Sequence, residues 1–170
     1  MKKIAVPLLG HIEMPENYVY KSPSLSPNGL YLSCKAEGTN DDIVFIWEIS
    51  DLYTYKFKFT SMKVACVAFT PDSDAIIIIY KNSNPLMYSL TNGKLILELK
   101  PNKEEINRKG LNFAFTVMGN HFGYASDKSF TLWSLRTGNI KKKIFDDSPI
   151  KLISHDFLIC IKNDLICRIK

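Results

Sequence analysis

The sequence predicts an all-β protein built of about four repeated antiparallel units. Three observations predict it: apolar or alternating runs of strand length recur along the chain, turn clusters separate them, and one strand ending returns in register. Strands at regular spacing with turn signals between them read as antiparallel β-structure. The competing helical reading finds no support. Its best candidate, Pro101 to Gly110, is polar and charged around a single Ile106 and lacks the apolar stripe of a docked helix. That stretch reads as an exposed loop with at most one helical turn over Asn102–Ile106.

In chain order the runs are Leu30–Cys34, Ile43–Ile49, Tyr55–Phe59, Val64–Phe69, Ala75–Tyr80, Leu86–Leu90, Leu95–Leu99, Asn112–Thr116, Phe130–Leu135 and Ile140–Phe145. Turns fall at Ser26-Pro27-Asn28-Gly29, Thr70-Pro71-Asp72-Ser73, Thr91-Asn92-Gly93 and Arg136-Thr137-Gly138-Asn139. Ile76-Ile77-Ile78-Ile79 is a continuous apolar run, as expected of an inner strand covered on both faces, and its β-branched residues favour strand over helix. Tyr55-Lys56-Phe57-Lys58-Phe59 alternates instead, which predicts an outer strand with its lysines in solvent, where they discourage edge-to-edge pairing.

The runs repeat as groups. Val44-Phe45-Ile46-Trp47-Glu48-Ile49, Pro85-Leu86-Met87-Tyr88-Ser89-Leu90 and Phe130-Thr131-Leu132-Trp133-Ser134-Leu135 align on Trp47, Tyr88 and Trp133, at spacings of 41 and 45 residues. Upstream, Leu25–Gly29, Phe69–Ser73 and Phe115–Gly119 occupy matching places, so a third turn is expected at Thr116–Gly119. A decayed fourth copy follows as Ile150–Ile153, Phe157–Ile161 and Leu165–Ile169, with Arg168 standing where Trp133 stands in the third.

A period of about 40–45 residues with four strands per unit is the pattern of WD40 repeats, and the chain resembles that family over most of residues 19–170. The matching residues are the Ser26–Gly29 and Thr70–Ser73 turns and the strand ends at Trp47 and Trp133. Glu48, Ser89 and Ser134 follow the aromatic, so no strict Trp-Asp dipeptide is kept, and Gly10-His11 stands alone as a Gly-His pair. The family's Asp–His–Ser/Thr–Trp hydrogen-bond network is therefore not assignable. The resemblance implies a single domain over residues 1–170, with blades near 12–59, 60–100, 111–147 and 148–170, the last incomplete. It further implies that Trp47, Tyr88 and Trp133 pack between blades. Four blades are fewer than the about seven usual in such rings, and a lone blade cannot bury its own faces. The expectation is a partial propeller with exposed end faces, completed by another chain or by a missing segment.

No catalytic constellation accompanies the repeats. His11, His121 and His155 lie far apart, and the latter two read as turn or loop residues. No G-x-S-x-G, H-E-x-x-H or phosphate-loop pattern occurs, and Gly93-Lys94 belongs to a hairpin turn. Asp41-Asp42 and Asp146-Asp147 sit in polar loops and read as solvated carboxylates. Cys34, Cys66, Cys160 and Cys167 lack zinc-ligand spacing and lie among apolar neighbours, as small buried residues do. Neither catalytic residues, nor a cofactor, nor a metal is expected. None of the twelve asparagines begins an Asn-x-Ser/Thr acceptor, and Met1–Leu9 fits neither a secretory signal nor a membrane span. The expected location is cytoplasmic, in a reducing compartment.

Charge divides the chain. Residues 1–85 carry eight Lys and Arg against nine Asp and Glu, whereas residues 86–170 carry fourteen against eight. Lys141-Lys142-Lys143 is the densest run and the candidate basic patch for an anionic lipid or nucleic acid. It lies in a strand beside Ile140 and Ile144, where outward lysines are ordinary, and aromatics are not interleaved as strand stacking on bases requires. The expected function is a non-catalytic protein–protein interaction scaffold, with the lipid- or nucleic-acid-binding module as the alternative. The loops around Glu37–Asp42 and Pro101–Gly110 are the first places to look for a protein partner.

Overall fold

A computed structural model describes residues 17–81, 83–100, 114–118, 120–125, 129–145, 150–154, 157–162 and 165–169. Among these residues, fifteen strands form four antiparallel sheets, each made of consecutive strands, and there is no helix. The first sheet is β1 (Val19–Leu25), β2 (Tyr31–Glu37), β3 (Asp42–Glu48) and β4 (Asp51–Ser61); the second is β5 (Val64–Phe69), β6 (Ala75–Tyr80), β7 (Leu86–Ser89) and β8 (Leu95–Glu98). The third is β9 (Ala114–Met118), β10 (His121–Ala125), β11 (Ser129–Ser134) and β12 (Ile140–Phe145). The fourth is β13 (Ile150–Ser154), β14 (Phe157–Lys162) and β15 (Leu165–Ile169). Among the described residues, no helix is long and apolar enough to cross a membrane.

The sheets stand side by side, joined through their first strands. β5 lies against β1 and β2 on one side and β9 on the other, and β9 lies against β13. The first strand of each later sheet thus stands beside its counterpart, and the remaining strands step outward in sequence order. Faces pack between sheets. Val44 and Ile46 of the first sheet meet Ile76, Ile78 and Tyr80 of the second, while Ile77, Ile79 and Leu99 meet Phe122 and Trp133 of the third. The four isoleucines of β6 therefore alternate between two cores, and each is 0% exposed. This two-sided burial belongs to a middle strand; β5, which stands beside β1, β2 and β9, is only partly buried.

The repeated turns are repeated in chemistry. Ser26 Oγ donates to Asn28 Oδ1 (2.7 Å) and accepts from Tyr31 N (2.9 Å), and Thr70 Oγ1 donates to Asp72 Oδ1 (2.6 Å) and accepts from Ala75 N (3.0 Å). The fourth position of each turn is left-handed, Gly29 at φ 73° and Ser73 at φ 62°. The β7–β8 and β11–β12 turns are likewise copies. Ser89 Oγ accepts from Thr91 N and Ser134 Oγ from Arg136 N, with Gly93 and Gly138 in the left-handed region. These serines cap their turns from the place where a Trp-Asp repeat carries its carboxylate.

Some expectations fail, each for a local reason. Thr116 does not begin a turn: it lies within β9 opposite Gly123, and pairing continues to Met118↔His121. The segment Thr116-Val117-Met118 has no Pro-Asn or Pro-Asp to bend it, and Gly119-Asn120 is the stronger hairpin signal. His121 accordingly opens strand β10 rather than sitting in a turn. In β4 the ladder slips between Ile46 and Trp47, which turns Lys56 away from free solvent: it pairs with Glu48 at 2.9 Å and stands 4.9 Å from the Tyr31 ring centre, leaving Lys58 exposed as expected. The first sheet's outward face is also not bare, since Phe45 is 1% and Trp47 2% exposed.

Candidate interaction surface

The three aromatics aligned by sequence occupy one structural position, the penultimate residue of the third strand in each sheet, and Arg168 holds it in the fourth. Tyr88 and Trp133 face the preceding sheet. The Tyr88 ring lies 4.5 Å from that of Phe59, and its hydroxyl, pushed up chiefly by burial and then by its bond with Tyr80, stays protonated. Trp133 is 1% exposed and donates from Nε1 to Lys100 O at 3.1 Å. Trp47 lies on the corresponding face of the first sheet, against Phe45 with ring centres 5.5 Å apart. Tyr88 and Trp133 thus join two sheets, whereas Trp47 packs within a core made by its own sheet and the residues beside it rather than between described sheets.

The Glu37–Asp42 loop is likewise turned inward. Asp42, 1% exposed, accepts from Val64 N at 2.8 Å and from Lys63 Nζ at 3.1 Å, and Lys63 also donates to Gly38 O. Lys35, 7% exposed, donates to Val64 O at 3.1 Å. Both polar groups of the Val64 backbone are thus held by charged side chains of the first sheet, a clamp across the step from β4 to β5. Asp42 is therefore a structural carboxylate, in contrast to the solvated one expected from its loop position. Asp146-Asp147, His155 and the Pro101–Gly110 loop lie outside the described residues, and none of the latter groups three or more His, Cys, Asp or Glu as a metal would need.

Glu37 completes the clamp, accepting from Lys21 Nζ and Lys35 Nζ at 2.6 Å each. These two bonds, Lys21 first, hold its carboxyl at about 2 against an ordinary 4.5. A group depressed in the fold stabilises it above the unfolded pKa and loses that contribution as pH falls through the folded value. The melting temperature is expected to drop between roughly pH 5 and pH 2 partly through this group, with Glu37→Gln flattening that acid limb. Identical acid limbs in the two proteins would exclude the clamp as a source of stability.

Among the described residues, a concavity open to a partner lies elsewhere, at the end of the sheets that carries the repeated turns. A groove of about 380 Å³ runs between the second and third sheets, with Met87, Ile96 and Leu135 as apolar lining. Asp72 and Asp74 border it from the β5–β6 turn, and Arg136 borders it from the β11–β12 turn. Asp72 is fixed by Thr70 Oγ1 and by Asp74 N, the latter at 3.1 Å, so one wall is rigid before anything binds. Apolar lining with carboxylates on one wall and a guanidinium on the other suits a short peptide segment carrying an apolar anchor and a flanking charge. Sequence reasoning missed this groove because its residues are assembled from two sheets; the turn signals at Thr70–Ser73 and Arg136–Asn139 were its only visible trace.

Of the candidate basic patch, Lys141 is exposed on β12, and the side chains of Lys142 and Lys143 lie outside the described residues. The backbones of Lys142 and Lys143 pair with Leu132 and Thr131, and the ladder shifts at Lys141. The run therefore lies in a paired strand, as expected, with an irregularity at Lys141. Compared with known proteins, the chain matches no family model and no curated sequence.

Proposed function

We propose that this chain is a non-catalytic protein–protein interaction scaffold of the WD40 type, a partial β-propeller of the cell interior that recognises a peptide segment of a protein partner. The observation that carries the reading is the groove between the second and third sheets, with its apolar lining, its opposed charges and its turn-fixed wall. The stacked sheets support it by supplying a rigid frame for surface turns, where binding residues concentrate. Exposed Leu25, Leu30 and Ile49 at the same end of the first sheet extend the apolar surface available to a partner.

The test is a photo-crosslinking side chain placed at Arg136 in the groove and, separately, at Lys141 on β12. Protein adducts from position 136 that vanish with Asp74→Lys are the expected result. Arg136 and Asp74 are exposed turn residues, so these changes should leave stability within about 0.5 kcal/mol. The unaltered chain is expected to pass heparin and anionic vesicles unretained at low salt. Retention there, lost on Lys141→Glu with Lys142→Glu and Lys143→Glu, would replace the scaffold with the anionic-ligand reading.

A further inference from the structure

Two cysteines that lie seven positions apart in the sequence are brought face to face by the last hairpin. Antiparallel pairing of β14 with β15 sets Cys160 directly opposite Cys167, flanked by Ile159↔Arg168 and Ile161↔Ile166. Directly opposed residues of an antiparallel pair share a face and hold their Cβ atoms about 4.5–5.5 Å apart. Their Cα atoms stand at about 4.5 or 5.5 Å depending on the ladder site, and both values fall inside the roughly 4.4–6.8 Å that a disulfide spans. The other two cysteines are placed differently. Cys34 belongs to the outward core of the first sheet and Cys66 packs against the core between the second and third, so neither opposes a second cysteine.

We propose that Cys160 and Cys167 form a redox-responsive dithiol that takes up a cross-strand disulfide from a low-molecular-weight disulfide such as oxidised glutathione. One thiolate attacks the glutathione disulfide, forming a mixed disulfide and releasing one glutathione thiolate. The opposed thiolate then attacks the protein sulfur of that mixed disulfide, closing the Cys160–Cys167 bond and releasing the second glutathione. The two protein thiols give up two electrons and two protons, and oxidised glutathione is reduced to two thiols. Closure staples β15, which pairs on one side only among the described residues, to the middle strand of its sheet. Burial pushes the Cys34 thiol up, which keeps it out of this exchange.

The experiment equilibrates the full chain with glutathione redox buffers, traps thiols by acid and alkylation, and digests with trypsin. Cleavage after Lys151, Lys162 and Arg168 puts Cys160 on peptide 152–162 and Cys167 on peptide 163–168, so the disulfide reads out as a covalent link between the two. That link is expected, with Cys34 and Cys66 alkylated. Because so short a loop also closes in a disordered chain, the same equilibrium is measured in urea. The effective concentration of the pair is expected to be at least tenfold higher in the native chain than in the denatured one. Equal values, a stable glutathione adduct on Cys160 or Cys167 without the link, or two unreacted thiols would each overturn the proposal.

Discussion

Trp133→Ala is expected to lower the free energy of unfolding by about 3–5 kcal/mol, the range for truncating a fully buried Trp. The indole is 1% exposed at the junction of the second and third sheets, its ring centre 5.6 Å from that of Phe122, and it packs in one core with Ile77, Ile79, Met87 and Leu99. Truncation opens a void between sheets that do not share a hydrogen-bonded ladder and so cannot slide together to fill it. It also removes the donor that Nε1 supplies to Lys100 O. A domain of this size carries only about 5–15 kcal/mol in all, so the variant should melt on the order of 10 °C lower. A urea titration with a loss under 1 kcal/mol would show that the two sheets do not depend on this contact.

The second large effect is a graded series at three glycines. Gly29, Gly93 and Gly138 all have φ near 70°, a region that costs other residues roughly 1–2 kcal/mol. They differ in what a Cβ would meet. At Gly29 nothing stands within 4 Å; at Gly93 the Phe57 ring stands at 2.7 Å; at Gly138 the backbone carbonyl of Glu98 stands at 2.7 Å. An aromatic side chain can rotate away in part, but a strand carbonyl moves only with its ladder. Alanine is therefore expected to cost about 1 kcal/mol at Gly29, more at Gly93, and roughly 2–4 kcal/mol at Gly138, where overpacking adds to backbone strain. Denaturant midpoints that leave Gly138→Ala no worse than Gly29→Ala would contradict the close docking of the β11–β12 turn on β8.

The strands differ in how far they could be read from residues alone. Val64–Phe69 and Ala75–Tyr80 coincide with β5 and β6 because near-continuous apolar runs bounded by turn residues leave little choice, and Ile140–Phe145 coincides with β12 because Ile140, Ile144 and Phe145 frame its lysines directly after the Arg136–Asn139 turn. β1 escaped notice because Ser22-Pro23-Ser24 imitates a turn. The strand accommodates it with a shift in register between Lys21 and Ser24 and a positive φ of 53° at Ser22, on an edge where the missing proline donor is not needed. β10 was hidden by Gly123, a residue that weakens an isolated strand but here is buried between Thr116 and Leu132. The clamp was less legible than either. Lys35 and Lys63 lie 29 and 21 residues from the partners they hold, and no local spacing announces such bonds.

Tyr88 and Trp133 both reach backward, toward the sheet made before their own, and Trp47 stands on the same side of the first. The aromatic groups that seal the two described junctions are therefore synthesised after the surface that receives them. On a growing chain, the second and third sheets therefore meet a surface that has already been synthesised, and neither junction waits on a later sheet for its sealing aromatic. The apolar forward side of the newest sheet is the face a growing chain is expected to leave open to misassociation with neighbouring nascent chains until the next sheet is made.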